Sequence, residues 1–209
     1  GWVYFDQSIF APKLYGLKEL RSEIIKRPVI TTIEVLANPI RAKNTHFVTG
    51  YVHKPYPPIY LKLARNAGFD SSIVIRGTEG GVVPSLRQKT NAHFYLNKEA
   101  NDELLEVEPD KELNIDQKVR AVKIPDEFEK KTKLDKIEIK VDPLEIAKES
   151  LKLGMEALSG ATGPMRDCIA LSASIMLKHV SKHSITDCYK EVNDVLDSGA
   201  ALKRFKEAL

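Results

Sequence analysis

The chain has 209 residues, 43% of them apolar and 29% charged, with a formal net charge of +3. That length and balance describe one globular domain, or one plus a small excursion, able to bury a core without disulfide staples. No apolar run reaches the roughly 18 residues a membrane-spanning helix needs. No signal pattern opens the chain, and Cys168 and Cys188 make no metal or redox spacing, so reduced core thiols and a cytoplasmic location are expected.

Trp2 to Phe5 is apolar and aromatic and reads as a strand. Its place at the first residues suggests a chain that begins inside a larger protein. Leu17 to Ile25 has helical spacing, ended by Pro28. Val29 to Ala37 fits a second short helix or a β-branched strand equally, and Asn38-Pro39 is a turn. Phe47 to Val52 alternates as a strand and closes at His53-Lys54-Pro55. Pro57-Pro58 opens a helix, proline being tolerated in the first turn, and Gly68 ends it. Ser72 to Ile75 is a short buried strand, so strand, helix and strand form a βαβ unit. Asn91 to Leu96 and Leu104 to Val107 read as further strands, and Asp110 to Asp142 as loops and edge strands. From Pro143 onward the pattern is helical: to Leu158, from Pro164 to about His179, from a Ser184 cap to near Gly199, and on to Leu209. The expected fold is α/β, a mixed, mainly parallel sheet flanked by helices, in one domain over 1–209.

The stretch from Ile73 to Leu86 organises this frame. An apolar strand ends in Arg76-Gly77-Thr78-Glu79-Gly80-Gly81, and glycines there permit close approach of backbone to a ligand. Ligands of open α/β sheets bind at the carboxyl ends of strands. A glycine-rich connection with a solvated arginine is the alternative. The charge distribution bears on the choice. From Arg41 to Lys98 nine cations face two anions, whereas Glu99 to Asp116 holds eight acids against Lys111. The first region favours phosphates.

No dinucleotide fingerprint, phosphate loop, nucleophile elbow or histidine–cysteine metal spacing is present. His46 and His53, seven apart, fall on opposite faces of a regular strand and read as isolated surface histidines. Asp167 reads as a charge at a helix N-terminus. Anion binding remains. Arg41 and Lys43 follow the Asn38 turn, and His53, Lys54 and Arg76 share one sheet edge if the two strands pair. Charge-assisted hydrogen bonds from such a rim would hold phosphate.

An ordered set of short motifs runs along nearly the whole chain: Phe10-Ala11-Pro12, Leu20-Arg21-Ser22-Glu23, Leu36-Ala37-Asn38-Pro39, Phe47 to Tyr51, Arg76 to Gly80, Leu158 to Asp167 and Asp197 to Ala201. Together they resemble the anthranilate phosphoribosyltransferase family, related to nucleoside phosphorylases, and within it a divergent branch. The resemblance implies a cytoplasmic homodimer of tryptophan-biosynthesis type that transfers a pentosyl group from a phosphoribosyl diphosphate donor. Arg21 would orient the acceptor, and Asn38, Arg76, Gly77, Thr78, Glu79 and Gly80 would line the sugar-phosphate cleft. The helices of about 13–39 would pack toward an N-terminal helical domain, which together with the diphosphate loop lies outside this chain. The family's magnesium is held by an acidic pair, and here those positions are Val82 and Val83, which offer no oxygen ligand. No cofactor is evident otherwise. The resemblance thus implies a transferase with altered or lost standard activity. A non-catalytic nucleic-acid-binding protein on the same fold is the alternative, with Arg41, Lys43, His53, Lys54 and Arg76 on phosphates and no membrane partner.

Overall fold

The computed structural model describes residues 2–24, 29–40, 42–78, 81–123, 129–131, 139–141 and 143–208. Short helices come first: α1 (Gln7–Phe10), α2 (Pro12–Tyr15), α3 (Lys18–Glu23) and α4 (Ile30–Ile33), the last running into a 3-10 turn at Glu34–Leu36. The sheet and its covering helix follow as β1 (His46–Tyr51), α5 (Tyr56–Asn66), β2 (Ser71–Arg76), β3 (Thr90–Tyr95) and β4 (Glu103–Val107). Next come α6 (Pro109–Leu113) and a small two-stranded sheet of β5 (Glu129–Lys131) and β6 (Ile139–Val141). Four helices close the described chain: α7 (Pro143–Leu158), α8 (Pro164–Val180), α9 (Ile185–Asp197) and α10 (Ala200–Lys206). None of the described helices is long and apolar enough to cross a membrane.

The sheet is open and mixed, in the order β1-β2-β3-β4. β1 and β2 are parallel, with His46 opposite Ser71 and Tyr51 opposite Arg76. β2–β3 and β3–β4 are antiparallel. The α/β class therefore stands, but the expected predominance of parallel pairs does not. Parallel pairing needs a crossover, and only β1 and β2 are joined through a helix; β2, β3 and β4 are linked by loops that turn the chain back.

Period-two alternation sorts the strand residues onto two faces. One face carries Ile73, Ile75, Ala92 and Val107 into a core with Cys168, Leu171 and Ile175 of α8 and Ile185 of α9. The other carries Phe47, Tyr51, Val74 and Tyr95 against Tyr60, Leu61 and Ala64 of α5. β2 is buried along both faces from Ser71 to Ile75, which explains its continuous β-branched run. Each fully buried aliphatic side chain there contributes roughly 1.5–3 kcal/mol.

Three further expectations change. Trp2 to Phe5 is exposed and forms no strand. Trp2 instead stacks on Phe205 of α10, ring centroids 5.3 Å apart. The ambiguous 29–37 segment is helical from Ile30 to Leu36. Within the acidic stretch, α6 forms because Pro109 sits at its first turn, Asp110 and Glu112 suit the N-terminal dipole, and Asn114 ends it at φ 55°. The expected helix from Leu17 appears as α3; Ile25 lies outside the described residues.

Candidate functional site

The parallel register puts the last residues of β1 and β2, Tyr51 and Arg76, side by side on the α5 face. Tyr51 is buried while Arg76 is exposed. Burial pushes the Tyr51 phenol above its usual pKa, and the neighbouring Arg76 guanidinium partly offsets that rise. His93 meets the Tyr51 ring edge-on at 5.7 Å, and burial holds its imidazole below the usual value, against an opposing pull from Asp102. His53 and Lys54 follow in an exposed turn whose His53 carbonyl accepts from the Tyr56 N–H at 3.1 Å. The His53 and Tyr56 rings lie 6.1 Å apart. Arg76, His53 and Lys54 thus sit at one sheet edge.

The loop after Arg76 is closed by its own backbone. The Thr78 N–H donates to the Val83 carbonyl at 2.8 Å, and the Thr78 hydroxyl donates to the same oxygen at 3.2 Å. Gly77 bridges Pro84, and a Cβ at Gly77 would lie 1.5 Å from the Gly81 carbonyl oxygen. Only glycine permits that approach. Val83 packs against the α8-side core, which ties the returning leg of the loop to it. Glu79, Gly80 and Arg41 lie outside the described residues.

The other expected site residues sit in the N-terminal helical region. Arg21 donates to Glu34 at 2.6 Å, and the same carboxylate accepts from Gln7 at 3.3 Å. The arginine therefore already holds a carboxylate of its own chain. Asn38 is half-buried with φ 44°, the left-handed conformation that a turn asparagine tolerates, and Lys43 is exposed. Of the nine cations between 41 and 98, Arg65, Lys89 and Lys98 are paired with Asp102, Glu106 and Asp70. The surplus is thereby concentrated on Lys43, Lys54, Lys62, Arg76 and Arg87 among the described residues.

A second polar cluster lies at the opposite end of the same two strands. His46 Nδ1 is 2.6 Å from the Ser71 hydroxyl, and that hydroxyl is 2.8 Å from His179 Nε2. His46 is therefore not an isolated surface histidine. Parity alone missed it because its partners come from a neighbouring strand and a distant helix. The spacing of Cys168, Leu171 and Ile175 does continue to 179, which marks His179 as inward-facing. It is 6% exposed, and burial, with a further push from His46, lowers its pKa to about 4.

Two of the motif segments meet in a structural contact. Arg166, buried at the start of α8, donates to Asp197 at 2.6 Å and to Asn193 at 3.1 Å on α9. Asp167 accepts from Gln117 at 2.6 Å.

The layered α/β fold resembles that of anthranilate phosphoribosyltransferases of known structure. Anthranilate phosphoribosyltransferase from Thermus thermophilus superposes with a TM-score of 0.62 at 19% identity, over 96% of this chain and 53% of that one. The Saccharomyces cerevisiae enzyme in complex with 4-fluoroanthranilate gives 0.67 at 16% identity, over 97% and 52%. The same yeast enzyme in complex with PRPP and Mg gives 0.62 at 18%, over 91% and 48%. The chain thus spans about half the length of these enzymes and shares their fold. No protein-family model matches it. An uncharacterized protein of Aquifex aeolicus is 37% identical over 81 residues, 39% of this chain and 26% of that protein.

Proposed function

We propose that this chain is the α/β domain of a phosphoribosyltransferase-like protein that binds a phosphate-bearing ligand at the carboxyl ends of β1 and β2. The observation that carries the reading is the register pair Tyr51↔Arg76, which brings an exposed guanidinium to the same edge as His53 and Lys54. Phosphate oxygens would accept from Arg76 as a bidentate fork and from Lys54 as a point charge. Gly77 and Thr78 would form the wall of the cleft. Helices within 13–39 would pack toward a further helical domain, in a cytoplasmic homodimer.

Standard magnesium-assisted pentosyl transfer does not suit these residues. The side chains of Val82 and Val83 present no oxygen ligand, and Val83 packs against the core. Arg21 is already committed to Glu34, so an acceptor carboxylate would have to share it. The reading is therefore ligand binding with altered or lost transfer. The full-length protein should bind phosphoribosyl diphosphate in a titration yet release little diphosphate with anthranilate. Robust release would refute the loss of standard transfer, and absence of binding would refute the rim.

Nucleic acid is the second reading, favoured by Lys43, Lys54, Lys62, Arg76 and Arg87, which make no ion pair among the described residues. Phosphate-backbone contacts would make its affinity fall steeply with salt. An anisotropy titration across salt concentrations separates the two readings: a salt-insensitive or absent signal counts against this one.

A further inference from the structure

The Ser71 hydroxyl stands between two imidazole nitrogens and has one proton to give. With His46 neutral and its Nδ1 bare, every group facing that hydroxyl is satisfied. Ser71 donates to His46 Nδ1, and His179 Nε2–H donates to Ser71. The remaining ring nitrogen, His179 Nδ1, is buried with no hydrogen-bond partner among the described residues. In this arrangement it is a bare acceptor.

Protonation of His46 removes the arrangement. Nδ1 of a charged His46 carries a proton and must donate to Ser71. The Ser71 proton then needs a new acceptor, and His179 Nε2 is the one within reach. His179 can accept there only by moving its own proton to Nδ1, where a buried donor faces no partner. If it keeps Nε2–H, the Ser71 proton is the orphan. His179 Nδ1 lacks a partner among the described residues in both states, as a bare lone pair before protonation and as an N–H after it, and a buried N–H without an acceptor is the rarer and less tolerated of the two. A second proton on His179 is no escape, since two charged imidazoles would flank one hydroxyl in a buried site.

We propose that His46, Ser71 and His179 form a proton-operated latch, which holds the C-terminal end of α8 on the amino ends of β1 and β2 and loosens when His46 takes up a proton. Its position suits that role. Lys178, His179 and the following Ser181 border a cavity of about 140 Å³ against Ile73, Phe94 and Leu105. Phe94 meets the His179 ring edge-on at 5.6 Å. The end of α8 is therefore packed loosely beside the latch and can lift without breaking the core around Leu171 and Ile175. His46 is exposed to solvent.

The other ionisable groups nearby do not supply the same response. Asp70, next to Ser71, is held ionised by the Thr45 N–H and by Lys98, and its carboxyl lies below the usual range. Glu103 of β4 and Lys178 of α8 line the cavity, and His183 beyond the helix faces Glu191. None of these side chains touches the Ser71 hydroxyl in the described contacts.

Amide hydrogen exchange of the full chain at about pH 7.5 and about pH 5.5, corrected for intrinsic rates, tests the latch. Exchange over 177–184 should rise about tenfold at the lower pH while 168–175 stays protected. His46→Asn keeps an acceptor near the Nδ1 position and takes no proton, so its exchange should be the same at both pH values. This variant is at an exposed site and should fold. Ser71→Ala should exchange fast in this segment at both pH values. Glu103→Gln should respond to acid as the parent does. The proposal is overturned by an unresponsive parent, by His46→Asn opening like the parent, by Glu103→Gln abolishing the response, or by 15N shifts that place the neutral-pH proton of His179 on Nδ1.

Discussion

The first and last rungs of the β1–β2 ladder, His46↔Ser71 and Tyr51↔Arg76, are five residues apart and so face opposite sides of the sheet. At the first rung the Ser71 hydroxyl is held between two imidazoles, one of them from the end of α8. At the last rung the phenol is buried, but the guanidinium is turned outward beside an exposed turn and a glycine loop. Both ends are built from the same two strands. The amino end ties its strands to a helix through a buried hydroxyl; the carboxyl end leaves donors free, which is what a ligand site requires. The largest effects on stability should therefore arise at one end, and those on binding at the other.

Acid should break the amino end first. His179 is held at a pKa of about 4 in the folded chain against 6.5 for a free histidine, chiefly by burial. The unfolded chain thus binds more protons between those values, and stability must fall as pH drops through that window, with no contribution above it. The loss should be on the order of 3 kcal/mol by the time pH reaches about 4. Urea unfolding at a series of pH values measures it. His179→Gln, which keeps a donor but does not titrate, should flatten the curve, and an unchanged slope in that variant would locate the sensitivity elsewhere.

Next in size is Gly77→Ala. The added methyl would collide with the Gly81 carbonyl, which is backbone and cannot rotate away. Thr78 and Val83 would lose their closure, and the variant should be about 1–3 kcal/mol less stable. The effect links the two ends, because the loop rests through Val83 on the core that α8 also covers. A melting temperature close to the parent's would mean that the loop re-forms outside the core.

Which of this was legible in the sequence follows from how local each signal is. β2 and α5 could be placed because a β-branched run and a proline-opened, glycine-ended helix are short-range patterns. Cys168, Leu171 and Ile175 announce the inner stripe of α8, and Ser184 caps α9 by accepting from the Asp187 N–H. The direction of β3 and β4 was not legible, because strand direction depends on how loops turn and not on strand composition. Arg21 had a motif to recommend it, but its pairing with Glu34 depends on how two short helices meet. Ser71 offered no signal; a serine at a strand start is ordinary, and its two histidine neighbours come from 25 and 108 residues away. Long-range polar chains of this kind carry no periodicity.

The smallest effect on stability should come from the rim, and that smallness is informative. Arg76 is exposed and makes no ion pair among the described residues, so Arg76→Ala should change stability by no more than about 0.5 kcal/mol. Its partner Tyr51 should titrate at a still higher pH once the nearby positive charge is gone, a shift that ultraviolet absorbance of the phenolate follows. If Arg76 holds phosphate, the same variant should weaken phosphoribosyl diphosphate binding by about ten- to a hundredfold, as loss of a charge-assisted bond worth roughly 1.5–3 kcal/mol predicts. Lys54→Ala should act in the same direction but less, because a flexible ammonium gives one point of charge where a guanidinium gives a planar fork. Unchanged binding in both variants, with stability also unchanged, would leave the carboxyl end without a phosphate role.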